Sequence, residues 1–226
     1  MADNRGHLIP MYVVADESGS MTAHLDELND GLASLHRALL GEPMAAAKVR
    51  FSVLGFSNSV SVRMRLADLR QENELPRLTT YGGATSYLEA FAALRNQIPQ
   101  DVTALKQEGY AVYRPAVFFL SDGQPNPGED WEEEHRRLTD RSLTLGAPNI
   151  VACGIGDAEA RTILDVATSN DYAFVAVPGV ELGATVAKFC TALTTSVIQS
   201  GLSLGTDRAE LVVDKPEGFR MAIDVV

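Results

Sequence analysis

The feature that most constrains this chain is the regular alternation of short apolar runs with amphipathic, helix-like stretches. Met11-Tyr12-Val13-Val14-Ala15 is a compact apolar run of strand length, and such continuous runs mark strands buried on both faces. A Ser/Gly-rich turn follows. Leu25, Leu28, Leu32, Leu35 and Leu39 then recur at steps of three and four residues, which puts one apolar stripe on a helix. Gly41 and Pro43 stop it. The pattern repeats. Residues 49–56 read as a strand, and Ser57-Asn58-Ser59 as a turn. Residues 60–64 alternate as an antiparallel edge strand, and residues 87–98 carry a helical stripe. Ala116-Val117-Phe118-Phe119-Leu120 is the clearest buried strand. Residues 131–143 read as a helix, with Asp130 as its cap and Glu133 completing a capping box. Strands at 149–153 and 172–177 alternate with helices at 158–168 and 181–200.

Strands that alternate with helices imply an α/β fold: a doubly wound, mostly parallel sheet with one antiparallel edge strand and helices on both faces. Residues 1–200 form this unit. Residues 201–226 differ, with two β-prone runs around Pro216-Glu217-Gly218, and read as a C-terminal extended arm or a hairpin.

Composition narrows the function. The chain carries 30 acidic and 19 basic residues, a net charge of −11. That balance gives no electrostatic basis for binding a nucleic-acid backbone. No stretch is long enough to span a bilayer, and the first apolar run is too short for a signal peptide. The expectation is a cytoplasmic protein with no nucleic-acid or membrane partner. Cys153 and Cys190 form no Cys-x-x-Cys pair and read as two buried free thiols.

In an open α/β sheet, ligands bind beyond the carboxyl ends of the strands. Asp16-Glu17-Ser18-Gly19-Ser20 follows the first strand, Gly82-Gly83-Ala84-Thr85-Ser86 precedes a helix, and Ser121-Asp122-Gly123 follows the Phe118-Phe119-Leu120 strand. These three segments should meet at one edge. Hydroxyl and carboxylate oxygens are hard ligands suited to Mg²⁺, Mn²⁺ or Ca²⁺. The expected metal residues are Asp16, Ser18, Ser20, Thr85 and Asp122. Ser18, Ser20 and Thr85 supply neutral oxygens, while Asp16 and Asp122 act through water or orient the hydroxyls. Gly19, Gly82 and Gly83 allow close backbone approach. Read singly, the serines would only cap a helix and Asp122-Gly123 would only be a turn; the ordered triple argues for a site.

Asp-x-Ser-x-Ser, a distant Thr and a distant Asp form the metal-ion-dependent adhesion site pattern, and over about residues 8–200 the chain resembles the von Willebrand factor A family. The resemblance implies one divalent ion with an open position that takes an Asp or Glu from a protein partner, and no catalysis. Ser121-Asp122-Gly123-Gln124-Pro125 and the strand close to the N-terminus most resemble the bacterial tellurite-resistance TerY-like group. That likeness implies a role in a chemical stress response beside kinase, phosphatase or TerD-like proteins. Some relatives carry a C-terminal zinc-binding segment; no Cys/His cluster follows Cys190 here, so that role does not transfer.

The alternative is a Mg²⁺-dependent hydrolase of the haloacid-dehalogenase-like phosphatase type. That pattern needs a second Asp two residues after the first, where this chain has Ser18. It also needs a companion to Asp157 at position 161, which is Arg161. No Gly-x-x-x-x-Gly-Lys loop occurs, and Ser18 is not set in a Gly-x-Ser-x-Gly elbow, because Asp16-Glu17 precede it. His24 reads as a solvated histidine beside the metal loop. Tyr81 and Tyr87 flank that loop, as a contact rim or as packing aromatics.

Overall fold

The computed structural model describes residues 5–179, 181–204 and 210–224. Its strands are β1 (His7–Asp16), β2 (Val49–Phe56), β3 (Val60–Ala67), β4 (Ala111–Val112), β5 (Ala116–Ser121), β6 (Asn149–Gly154), β7 (Ala173–Ala176) and β8 (Phe219–Met221). The helices are α1 (Leu25–Leu40), α2 (Pro43–Ala46), α3 (Tyr87–Gln107), α4 (Trp131–Thr139), α5 (Ala160–Val166) and α6 (Leu182–Ser203). A 3-10 turn, Gly19–His24, joins β1 to α1. The sheet order is β3-β2-β1-β5-β6-β7-β8, with β4 also beside β1. The chain therefore winds outward in two directions from β1, and the switch point lies between β1 and β5.

β1 is central because almost every residue in it is apolar and can be covered on both faces. Met11, Val13 and Ala15 enter the core packed by α1 and α6, with Leu28, Leu32, Leu35, Phe189 and Val197. Tyr12 and Val14 point the other way, toward Phe91, Ile98 and Val102 of α3 and Leu138 of α4. The two-residue period of a strand thus builds two layers around one sheet.

β2 and β3 pair antiparallel, as the alternating residues 60–64 predict, although β3 runs on to Ala67. β2, β1, β5, β6 and β7 pair with one another in parallel, in that order. A second antiparallel pair, β7 with β8, closes the other side. In the arm, the chain from Glu210 to Asp214 lies along α6. Ser203 Oγ donates to the Glu210 carbonyl (2.8 Å), Val212 N donates to Ser200 Oγ (2.9 Å) and Asp214 N donates to Ser196 Oγ (2.9 Å). Residues 205–209 and 225–226 of the expected arm lie outside the described residues.

Three local expectations change. α3 does not stop at residue 98 but passes through Pro99 to Gln107. Its buried stripe continues through Ile98, Val102 and Leu105, and that burial outweighs the hydrogen bond a proline removes. α4 ends at Thr139 rather than residue 143, because Asp140 turns to accept from Ser142 N (2.8 Å) and Ser142 Oγ (2.6 Å). There is also no capping box: Asp130 makes no side-chain cap, and Glu133 pairs with Arg136 and Arg137. Both cysteines are free and buried.

Candidate metal centre at the carboxyl edge

Asp16 is the last residue of β1 and Ser121 the last of β5, neighbours across the switch point. Ser121 Oγ donates to Asp16 Oδ2 at 2.7 Å, and Ser18 N donates to Asp16 Oδ1 at 2.9 Å. The second bond turns the chain sharply, so that Ser18 and Ser20 face the same way; their Oγ atoms are 3.1 Å apart. Ser20 Oγ then donates to Asp122 Oδ1 at 2.9 Å. Asp16, Ser18, Ser20 and Asp122, separated by up to 106 positions in sequence, thus form one connected group.

Thr85 reaches the same place by another route. Thr85 N donates to Asn126 Oδ1 (3.0 Å), and Asn126 N donates to the Thr85 carbonyl (3.1 Å). Asn126 is held in turn by Glu129 Oε1 at 2.6 Å. A Cβ at Gly123 would lie 3.6 Å from Thr85 Oγ1, so the threonine hydroxyl faces the loop that begins at Asp122. That hydroxyl makes no hydrogen bond among the described residues, although Thr85 is buried.

The Thr85 loop is also fastened from the β2–β3 turn. Asn58 Oδ1 accepts from Gly83 N (3.2 Å) and Ala84 N (3.1 Å), and Ser57 Oγ donates to the Ala84 carbonyl (2.7 Å). Gly82 is required there: its φ is +77°, and a Cβ would come within 2.5 Å of Asn58 Oδ1. Gly19 and Gly83 differ from expectation, since a Cβ at either meets open space.

Glu17 was not read as functional, yet it is fully buried beside the site. Its carboxylate accepts from Arg63 Nη2 (3.1 Å) and from Thr79 N (2.7 Å), and Gly55 has no Cβ because Glu17 Oε2 would sit 2.0 Å from one. This ion pair ties the Asp-x-Ser-x-Ser loop to the segment that leads to Thr85. The missed signals are the acid inside the motif and an arginine on the edge strand. Ser121, Asn126 and Glu129 were missed as well; Ser121 stands directly before Asp122 in the motif.

The electrostatics single out Asp16. Burial pushes its carboxyl up to about 6, against hydrogen bonds from Ser18 and Ser121 that hold it down. Asp122 is raised by burial too, and Ser20 opposes this. No arginine or lysine contacts either acid among the described residues. His24, expected to be solvated, is half-buried with Nδ1 shielded and unpartnered among the described residues. Tyr87 is a packing aromatic. It is buried edge-on to Phe56, Phe119 and Trp131 and donates to the Gly123 carbonyl (3.2 Å). Tyr81 is half-exposed over Arg63.

The donor set fits a hard divalent cation. Three hydroxyls and two carboxylates converge, one hydroxyl lacks a partner, and a fully buried carboxylate lacks a cation. Among the described residues no group of three or more His, Cys, Asp or Glu could hold a metal.

The family model for the von Willebrand factor type A domain matches residues 11–124, half of the chain and all five of these residues. The chain belongs to that family. Its fold is similar to the pilus adhesin SpaC from Lactobacillus rhamnosus GG, with a TM-score of 0.66 and 12% identity over 88% of this chain and 31% of that one. It is also similar to proximal thread matrix protein 1 from the mussel byssus, with a TM-score of 0.57 and 17% identity over 87% of this chain and 49% of that one. A further structure of the mussel protein has zinc in its MIDAS motif. The chain spans about half the length of the mussel protein and a third of the adhesin. No curated protein matches it. No helix among the described residues is long and apolar enough to cross a membrane.

Proposed function

We propose that this chain is a metal-dependent protein-binding module, in which Ser18, Ser20, Thr85, Asp16 and Asp122 hold one divalent ion that takes a carboxylate from a partner. The observation that carries this reading is the buried Asp16, held by the Ser18 amide and the Ser121 hydroxyl with no arginine or lysine partner among the described residues. A charge removed from water needs a counter-charge, and every direct protein contact to Asp16 is a neutral donor. The ion would supply an electrophilic position at an exposed edge. Ser18, Ser20 and Thr85 would present neutral oxygens to it, and Asp16 would orient Ser18 through the backbone amide. Mg²⁺ suits such a set, as do Mn²⁺ and Ca²⁺; the zinc in the mussel protein keeps the choice of ion within the proposal. The Ser18, Ser20 and Ser121 hydroxyls bond carboxylates and one another, with no histidine or lysine base on them among the described residues, which supports binding rather than turnover. The C-terminal arm, residues 201–226, would brace the module of residues 1–200.

The resemblance to the TerY-like group extends the proposal to a bacterial tellurite or chemical stress response, with kinase, phosphatase or TerD-like proteins as partners. The run Ser121 to Pro125 supports it. Calorimetric titration with MgCl₂, MnCl₂ and CaCl₂, followed by an acidic peptide and its amide counterpart, tests the core of the reading. Metal should bind at one site, and loading it should add acidic-peptide binding that both chelator and Asp122→Ala remove. Peptide binding that is the same with and without metal would overturn it.

A further inference from the structure

Apart from the metal edge, one place in the molecule collects charge that the fold leaves unanswered. It lies at the opposite end of the sheet, before the first residues of β5 and β6. There the last turn of α3, the β4–β5 connection and the α4–β6 connection enclose a cavity of about 220 Å³. Lys106, Arg114 and Arg141 line it together with Tyr113 and Leu145. None of the three cations has an ion-pair partner among the described residues, whereas Arg50, Arg65, Arg95 and Arg161 each have one. In a chain of net charge −11, a cluster of three unanswered cations is against the composition. The nearest acid in the connection, Asp140, is turned to Ser142. Burial and the charge of Arg141 both push the Arg114 guanidinium down, and no acid opposes them.

The cluster is built into an ordered loop. Arg114 Nη1 donates to the Ala147 carbonyl at 2.6 Å, and the buried Thr144 donates to the Arg137 carbonyl at 2.6 Å. With Thr144 turned inward, Leu143 and Leu145 stand out at 62% and 52% exposure. Two protruding leucines beside unpaired cations make a surface that is apolar and electropositive at once.

We infer that this cavity is a second docking site, for a segment of a partner protein that carries an acidic side chain next to a bulky apolar one. The acid would answer Arg114 and Arg141, and the apolar side chain would cover Leu145. The cavity is smaller than the roughly 300–1,000 Å³ of cofactor sites, and the chain's net charge repels long polyanions such as nucleic acids. The domain would then hold partners at both ends of its sheet.

Fluorescence anisotropy with a labelled hexapeptide of alternating Asp and Leu tests this, with chelator present throughout so that the metal edge is silent. The expected result is saturable binding below about 1 mM, weakened tenfold or more by Arg114→Glu with Arg141→Glu and by the single change Arg141→Glu. Both side chains are exposed, and unchanged melting would confirm the fold. Asn-for-Asp and Gly-for-Leu peptides should each bind at least tenfold more weakly, and Asp122→Ala should have no effect. Equal binding to the charge-reversed chain, equal competition by sodium phosphate, or no binding at that concentration would each overturn the inference, whatever becomes of the metal reading. Loss of binding only because the chain self-associates, seen by sedimentation, would also overturn it and make this face a contact between copies.

Discussion

Two groups of buried carboxylates meet in this fold, and they are treated in opposite ways. Glu17 and Asp101 are fully buried and each receives an arginine, Arg63 and Arg65 respectively. Asp101 further accepts from the Tyr12 hydroxyl (2.9 Å) and Gln97 (3.2 Å). Asp16 and Asp122 are buried at the carboxyl edge and, among the described residues, hydrogen-bond only to hydroxyls and amides. The first pair fastens β3 and its neighbours to β1 and α3. The second leaves negative charge at the carboxyl edge with no arginine or lysine partner among the described residues. Burial alone therefore does not mark a site; burial without a counter-charge does.

The contrast is broken most severely from the structural side. Arg63→Met should leave Glu17 buried and unpaired, at a cost of about 3–5 kcal/mol. Urea denaturation should show this in both chelator and MgCl₂; a loss under about 1 kcal/mol would mean that Thr79 N suffices to hold Glu17.

The next effect has the opposite sign. The Asp16 carboxyl sits at about 6, above its ordinary 3.8. The metal-free native state therefore binds more protons than the unfolded chain across that interval, and its stability falls as pH rises from about 4 to about 6. The shift corresponds to about 3 kcal/mol. Asp16→Asn in chelator should be more stable than wild type at pH 7 by up to that amount and close to it at pH 4, while losing all stabilisation by MgCl₂. A destabilised Asp16→Asn at pH 7 would show that the carboxylate is satisfied without metal.

The smallest expected change sharpens the comparison. Asp122→Ala should weaken Mg²⁺ at least tenfold, about 1.4 kcal/mol, while metal-free stability moves by less than about 1 kcal/mol. Unchanged affinity in calorimetry would remove Asp122 from the site.

The parts legible in the sequence were those written in contiguous residues. The strand 116–120 and the leucine stripe of α1 declare themselves by period. The acid and hydroxyl motifs name the carboxyl edge because parallel strands gather their ends there. The contacts that stabilise the edge were not legible. Glu17 sits inside the motif but its partner Arg63 is 46 positions away, and Ser121 bonds to Asp16 across 105. No periodicity encodes such pairs. The stripe of α3 is legible only to residue 98, and only the layer beneath it, with Tyr12 bonded to Asp101, shows why the helix continues through Pro99.

The central place of β1 also governs how the chain must come together. Its flanking partners are β2, about 40 residues later, and β5, which aligns Met11 with Ala116. Closing loops of that span before any contact rewards them is slow. During synthesis the first strand emerges long before β5 exists. Asp16 thus waits, still in water, until β5 has been made, and the carboxyl edge is completed only when the sheet closes around it.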